Sequence, residues 1–219
     1  MHYNLLFNGC SWTKGYGLDE LGLVEEDFRF SGVIAQKTNK TVCNISRSGS
    51  SNDAICRKTI KWFEDEGNTC DHAIIQWTFK TRFEWIDENN NPCSFLPPKE
   101  VSKAKRQPKP HVQESLRAYY ESVYTDPLGF ANLYKNMSFL ETYFAMKNQS
   151  YSFVRIAHRK EMTNKDFHWK SLVKDLYPQN LLTLLGGWYN EEIFFDAHPN
   201  AKGHEIIADY IINNFDYFQ

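Results

Sequence analysis

Three residues near the two ends of this chain carry the side chains of a nucleophilic acyl-transfer site. Ser11 follows the apolar run Tyr3-Asn4-Leu5-Leu6-Phe7 within Gly9-Cys10-Ser11, and Asp196-Ala197-His198-Pro199 stands just before a helical pattern. A serine hydroxyl attacks poorly until a base accepts its proton, and the best base near neutral pH is an imidazole held in one tautomer by a third group. Gly9 permits a tight turn that exposes the hydroxyl. His198 precedes a proline and is therefore expected to be extended. Residues two apart then point the same way, which would let the Asp196 carboxylate meet Nδ1 of His198 and leave Nε2 for Ser11. An isolated Gly-x-Ser is more often a turn or helix-capping serine, and an Asp/His pair is also common before a helix. The case rests on where the elements place these residues.

Residues 3–7 read as a buried strand ended by Asn8-Gly9, followed by a glycine-rich loop over 8–24. A weak helical pattern covers 27–38. Further strands are expected at Lys40–Ile45, Ala73–Trp77, Tyr151–Ala157 and Ile193–Phe195. A helix is expected near 53–65. Another starts at Asp126-Pro127 and carries Phe130, Tyr134, Met137, Leu140 and Phe144 at spacings of three and four. Pro199 is expected to open a last helix bearing Ile207, Ile211 and Phe215. Residues 165–188 are expected to hold a short helix. Strands alternating with helices imply a three-layer α/β/α sandwich with a mostly parallel five-stranded sheet. Its ligands bind beyond the carboxyl ends of the strands, and four polar clusters fall there: Ser11, Gly49 to Asn52, Thr78, and Asp196 with His198.

The length of 219 residues suits one domain over 1–219. The stretch 86–112, with Asn89-Asn90-Asn91-Pro92, Pro97-Pro98 and a basic run from Lys99 to Lys109, reads as an insertion or flexible arm. A net charge of −2 points to neither nucleic acid nor a membrane surface as partner. The five cysteines include no Cys-x-x-Cys, so neither a disulfide framework nor a zinc knuckle is expected. No signal peptide and no long apolar run is visible, which makes a cytoplasmic location the expectation. No nucleotide loop is present.

Gly9-Cys10-Ser11, Gly49 and the Asp-x-His before the final helix together resemble the blocks of the SGNH (GDSL-type) hydrolases. More narrowly, Gly9-Cys10-Ser11-Trp12-Thr13, Gly49-Ser50-Ser51-Asn52-Asp53 and Trp77-Thr78 with Arg82 and Glu84 resemble a subgroup common in tailed bacteriophages, for which host cytoplasm or virion is the implied location. The resemblance implies an SGNH or flavodoxin-like fold and a serine esterase that removes a small acyl group, such as acetyl, from a carbohydrate or similar ester. It implies no metal and no cofactor. Ser11 would be the nucleophile, His198 the base and Asp196 its orienter. The N–H groups of Ser11 and Gly49, aided by Thr78 or Asn52, would hold the oxyanion.

Two departures stand out. Gln76-Trp77-Thr78-Phe79 occupies the block where the family has Gly-x-Asn-Asp, and Asp196 stands one residue closer to His198 than in the usual Asp-x-x-His. Arg82 is a candidate to hold an anionic or sugar substrate, or else an ion-pair partner for Glu84. Trp12 and Trp77 are candidates for apolar or sugar-stacking walls, or for core. A catalytically weak or inactive binding or virion-associated module, an O-acyltransferase using the same site, and a nucleic-acid accessory protein using the basic arm remain the alternatives.

Overall fold

The computed structural model describes residues 1–86, 89, 92–95, 97, 110–156, 180–188 and 190–219. The basic run Lys99–Lys109 and residues 165–179 lie outside the described residues. The order is β1 (His2–Asn8), α1 (Ser11–Lys14), α2 (Glu25–Phe28), α3 (Phe30–Thr38), β2 (Val42–Asn44), α4 (Asn52–Glu64) and β3 (Thr69–Trp77). There follow β4 (Phe83–Ile86), β5 (Pro92–Phe95), α5 (Pro110–Ser122), α6 (Asp126–Lys147), β6 (Ser150–Arg155), α7 (Leu181–Leu184), β7 (Phe194–Phe195), β8 (His198–Pro199) and α8 (Ala201–Asn214).

The main sheet runs β2-β1-β3-β6 and every pairing in it is parallel. Each strand sends alternate side chains to opposite faces, and two cores result. Leu5, Phe7, Ile74 and Val154 join Phe30 and Ile34 of α3 and Ile207 and Ile211 of α8. Leu6, Ala73, Ile75, Trp77 and Phe153 join Ile55 of α4 and Phe130, Met137, Leu140 and Phe144 of α6. This is the three-layer α/β/α plan. Each fully buried Leu, Ile or Phe contributes roughly 1.5–3 kcal/mol of apolar burial.

The expected fifth strand is not in this sheet. Phe194 and Phe195 pair antiparallel with Pro199 and His198, forming a separate two-stranded ribbon. Pro199 therefore belongs to the ribbon, and α8 starts after Asn200, whose Oδ1 accepts from Gly203 N at 3.1 Å. Likewise α6 is capped by Thr125 Oγ1, which accepts from Leu128 N at 3.3 Å; Asp126 is already inside the helix. Within the stretch read as an arm, 92–95 pair antiparallel with 83–86, and a helix has begun by Pro110. Among the described residues, no helix is long and apolar enough to cross a membrane.

Two buried histidines make the fold sensitive to acid. His72 bridges Ser150 Oγ (2.7 Å) and Ser152 Oγ (2.9 Å) across the β3–β6 edge and stacks on Tyr217, and burial lowers its pKa to about 4. With both ring nitrogens occupied, it ties strands together. His204 accepts from Phe30 N at 3.2 Å, and burial lowers its pKa to about 3. Both are neutral when folded and titrate near 6.5 when unfolded. The unfolded chain therefore binds more protons below pH 6.5, so the stability these two groups confer is complete above that pH and is lost as pH falls toward 4. Between pH 7 and 5 the expected loss is about 2 kcal/mol per histidine. Urea unfolding at the two pH values checks this, and His72→Gln should shrink the difference.

Candidate active site

The strand-end loops on the carboxyl side of the sheet converge on Ser11. Asn8, the last residue of β1, anchors the turn: its Nδ2 donates to Ile55 O and Thr59 Oγ1 (both 2.9 Å), and its Oδ1 accepts from Gly9 N at 2.8 Å. Gln76, at the end of β3, clamps the other side. Its Oε1 accepts from Thr13 Oγ1 at 2.9 Å and Cys10 N at 3.3 Å. Ser11 begins α1 and is almost fully buried.

His198 reaches Ser11 from the far end of the chain, with Nε2 2.9 Å from Ser11 Oγ. It is held by the β7–β8 ribbon, whose two-residue tip is Asp196-Ala197. Both residues are left-handed, with φ of 42° and 60°, the dihedral signature of a type I′ hairpin turn. This corrects the expected geometry. The segment before His198 is a hairpin tip rather than an extended strand, and the group on His198 Nδ1 is the backbone carbonyl of Asp196, at 2.8 Å, not its carboxylate. Since a carbonyl only accepts, Nδ1 carries the proton, and in the neutral ring Nε2 presents its lone pair to the Ser11 hydroxyl. Burial lowers the His198 pKa. The Asp196 carbonyl and charge raise it, the Arg82 charge lowers it and Glu20 raises it; the balance is downward. The ring is therefore neutral, and a base, at neutral pH.

An alanine in the left-handed region is strained where glycine is not. Ala197→Gly is expected to raise stability by about 0.5–1 kcal/mol, read as a higher urea midpoint, with the Ser11–His198 contact kept.

The remaining candidates divide. The N–H groups of Ser11 and Gly49 have no partner among the described residues, and Gly49, at φ +75°, holds the turn after β2. The Asn52 side chain bonds the main chain around Thr78. Asn52 Oδ1 accepts from Thr78 N (2.9 Å) and its Nδ2 donates to Phe79 O (3.3 Å), while Thr78 Oγ1 accepts from Arg82 Nη1 (3.1 Å). The amide of Asn52 therefore fastens α4 to the β3 loop. The helix cap is Ser51, whose Oγ accepts from Ala54 N at 3.1 Å.

Trp77 is no substrate wall. It is fully buried on the α4–α6 face against Phe153, the face shared by Ala73 and Ile75. Trp12 is also buried, but on the face beside the ribbon, where it packs edge-on against Trp188 and tilted against Phe194, each at 5.6 Å. The partner of Glu84 is Arg57, through two 2.8 Å bonds; Arg82 instead spreads over the Phe79 ring at 5.2 Å.

Residues that the sequence motifs did not single out complete the surroundings. Tyr16 lies 4.8 Å from the His198 ring. Trp188, 39% exposed, stacks on Phe79 at 6.1 Å. Gln76 is the clamp described above. A polar residue in the otherwise apolar Ala73–Trp77 run was the available signal for Gln76; nothing local marks Trp188.

No family model matches the chain, and no curated protein matches it in sequence. Solved structures do match in fold. The psychrotrophic esterase EstA from Pseudoalteromonas sp. superposes with a TM-score of 0.53 at 13% identity, covering 96% of this chain and 95% of EstA. TesA gives 0.54 at 10% identity with both chains fully covered. The acetyl xylan esterase Est2A from the rumen bacterium Butyrivibrio proteoclasticus gives 0.54 at 11% identity, covering 98% of this chain and 64% of Est2A. At these identities the likeness is one of architecture: the chain shares the mostly parallel α/β fold of proteins that include two esterases.

Proposed function

We propose that this chain is an SGNH-type serine esterase that removes a small acyl group, such as acetyl, from a carbohydrate or similar ester. The observation that carries the reading is the 2.9 Å contact between Ser11 Oγ and the unprotonated Nε2 of His198, made by residues 187 positions apart. In this reading Ser11 Oγ attacks the acyl carbon while His198 Nε2 takes its proton. The tetrahedral oxyanion is met by the Ser11 and Gly49 N–H groups. His198 then returns the proton to the leaving alkoxide, and water repeats the sequence on the acyl-enzyme. Fixing of Nδ1–H by a main-chain carbonyl makes the unit a serine–histidine dyad, with Asp196 contributing its backbone. The exposed Trp188 ring beside Phe79 supports a sugar as the alcohol side of the ester, and an acetyl xylan esterase among the fold neighbours agrees with it.

The missing asparagine of the third block, where Gln76-Trp77-Thr78-Phe79 stands instead, favours a slower enzyme. One missing oxyanion donor costs about 10²–10³ in rate, and the Thr78 hydroxyl, which accepts from Arg82 and keeps its own hydrogen, is the available replacement. The test is labelling with a fluorophosphonate; the EstA neighbour was itself inhibited by monoethylphosphonate. Wild type is expected to be labelled and Ser11→Ala not. A folded wild type that resists the probe would turn the reading to a non-catalytic binding module.

A further inference from the structure

Away from Ser11, an open cleft of about 270 Å³ lies between the loop after β2 and the outer side of α4, lined by Ile45, Ser46, Arg47, Lys58, Lys61, Trp62 and Asp65. Its charges are unevenly matched. Lys61 is held by Asp65 at 2.8 Å, and the neighbouring Arg57 by Glu84. Arg47 and Lys58 have no carboxylate within ion-pair distance among the described residues. Both belong to a chain whose net charge is −2, so the positive charge here is a local feature. The Lys58 pKa is lowered, first by burial and then by Arg47 and Arg57, with only Glu84 opposing. A half-buried ammonium beside two guanidinium groups is an unfavourable arrangement that an anion would relieve. Trp62, 8% exposed, supplies an apolar lining. The Arg47 main chain is tied to the nucleophile turn, its N–H donating to Gly9 O at 3.3 Å.

We propose that Arg47 and Lys58 bind an anionic group, a carboxylate or a phosphate, carried by the ester substrate or free in solution. Arg47 would supply a planar fork and Lys58 a point charge, the two complementary ways of holding such a group. The substrate half of this inference rests on the esterase reading; the binding half does not.

The experiment therefore has two arms. In the first, inorganic phosphate and glucuronate are titrated into the full chain and followed by calorimetry at low salt. Saturable binding is expected. It should weaken by about tenfold in each of Arg47→Gln and Lys58→Gln, fall with added salt, and be unchanged in Ser11→Ala. In the second, KM is compared for acetylated glucuronate and acetylated glucose. A rise of about tenfold for the acidic ester alone in the two variants, with kcat unchanged, assigns the anion to the substrate. Binding with no change in KM assigns it to a free anion. Absence of saturable binding in the first arm, or binding insensitive to both substitutions, overturns the proposal even if the chain is an esterase. Binding without any ester hydrolysis overturns the esterase reading and leaves the site.

Discussion

His198→Gln is expected to lower kcat/KM for a small acetyl ester by about 10⁴-fold or more, while Asp196→Asn costs less than about tenfold. Glutamine cannot take the Ser11 proton, and loss of the base from a serine site generally removes most of the rate beyond what binding and the oxyanion hole provide. The second half distinguishes this chain from a side-chain triad. Where a carboxylate holds the imidazole, its amide variant selects the wrong tautomer and costs about 10⁴. Here the atom on Nδ1 is a main-chain carbonyl at 2.8 Å, which asparagine keeps, and asparagine tolerates the left-handed conformation that Asp196 adopts. The lost charge slightly lowers the His198 pKa, since Asp196 raises it. Steady-state hydrolysis of p-nitrophenyl acetate by both variants is the measurement. A drop near 10⁴ for Asp196→Asn would mean that the carboxylate, and not the carbonyl, orients the base.

Gly9→Ala carries the second large effect. A Cβ at Gly9 would collide with Thr13 Oγ1 and sit 2.9 Å from Gln76 Oε1. Neither neighbour can step aside cheaply. Thr13 Oγ1 and Gln76 Oε1 are bonded to each other at 2.9 Å, and Gln76 also holds Cys10 N. The turn must open, at about 1–3 kcal/mol for overpacking. Because Ser11 is two residues away, the displacement reaches the nucleophile, and a misplacement of about 1 Å costs on the order of 10² in rate. A lower urea midpoint and fluorophosphonate labelling slowed by at least that factor are expected. Labelling at the wild-type rate would show that the Gln76 clamp on Thr13 and Cys10 does not position Ser11.

Most of the architecture was legible because it rests on local pattern. The apolar runs at 3–7 and 73–77 and the three-four spacing from Phe130 to Phe144 report which face of each element is buried, and the observed cores use those residues. The same alternation places Trp77 with Ala73 and Ile75, so its burial away from the ribbon face was readable too. Harder to read was the segment at 193–199, since a short apolar run followed by His-Pro fits a sheet strand as well as a ribbon.

The order of residue types was enough to fix the alternation of strands and helices, and with it the arrival of Ser11, Gly49 and Thr78 at strand ends. Periodicity expresses burial, and the burial of apolar surface is the main force that drives folding. Which atoms meet was settled only when distant segments packed together. The left-handed pair Asp196-Ala197 hands His198 a carbonyl, the Asn52 amide closes on Thr78, and Gln76 reaches back to Thr13. These contacts, at 2.8 to 2.9 Å, depend on dihedral angles and on the partners that packing brings within reach. No run of residue types records them.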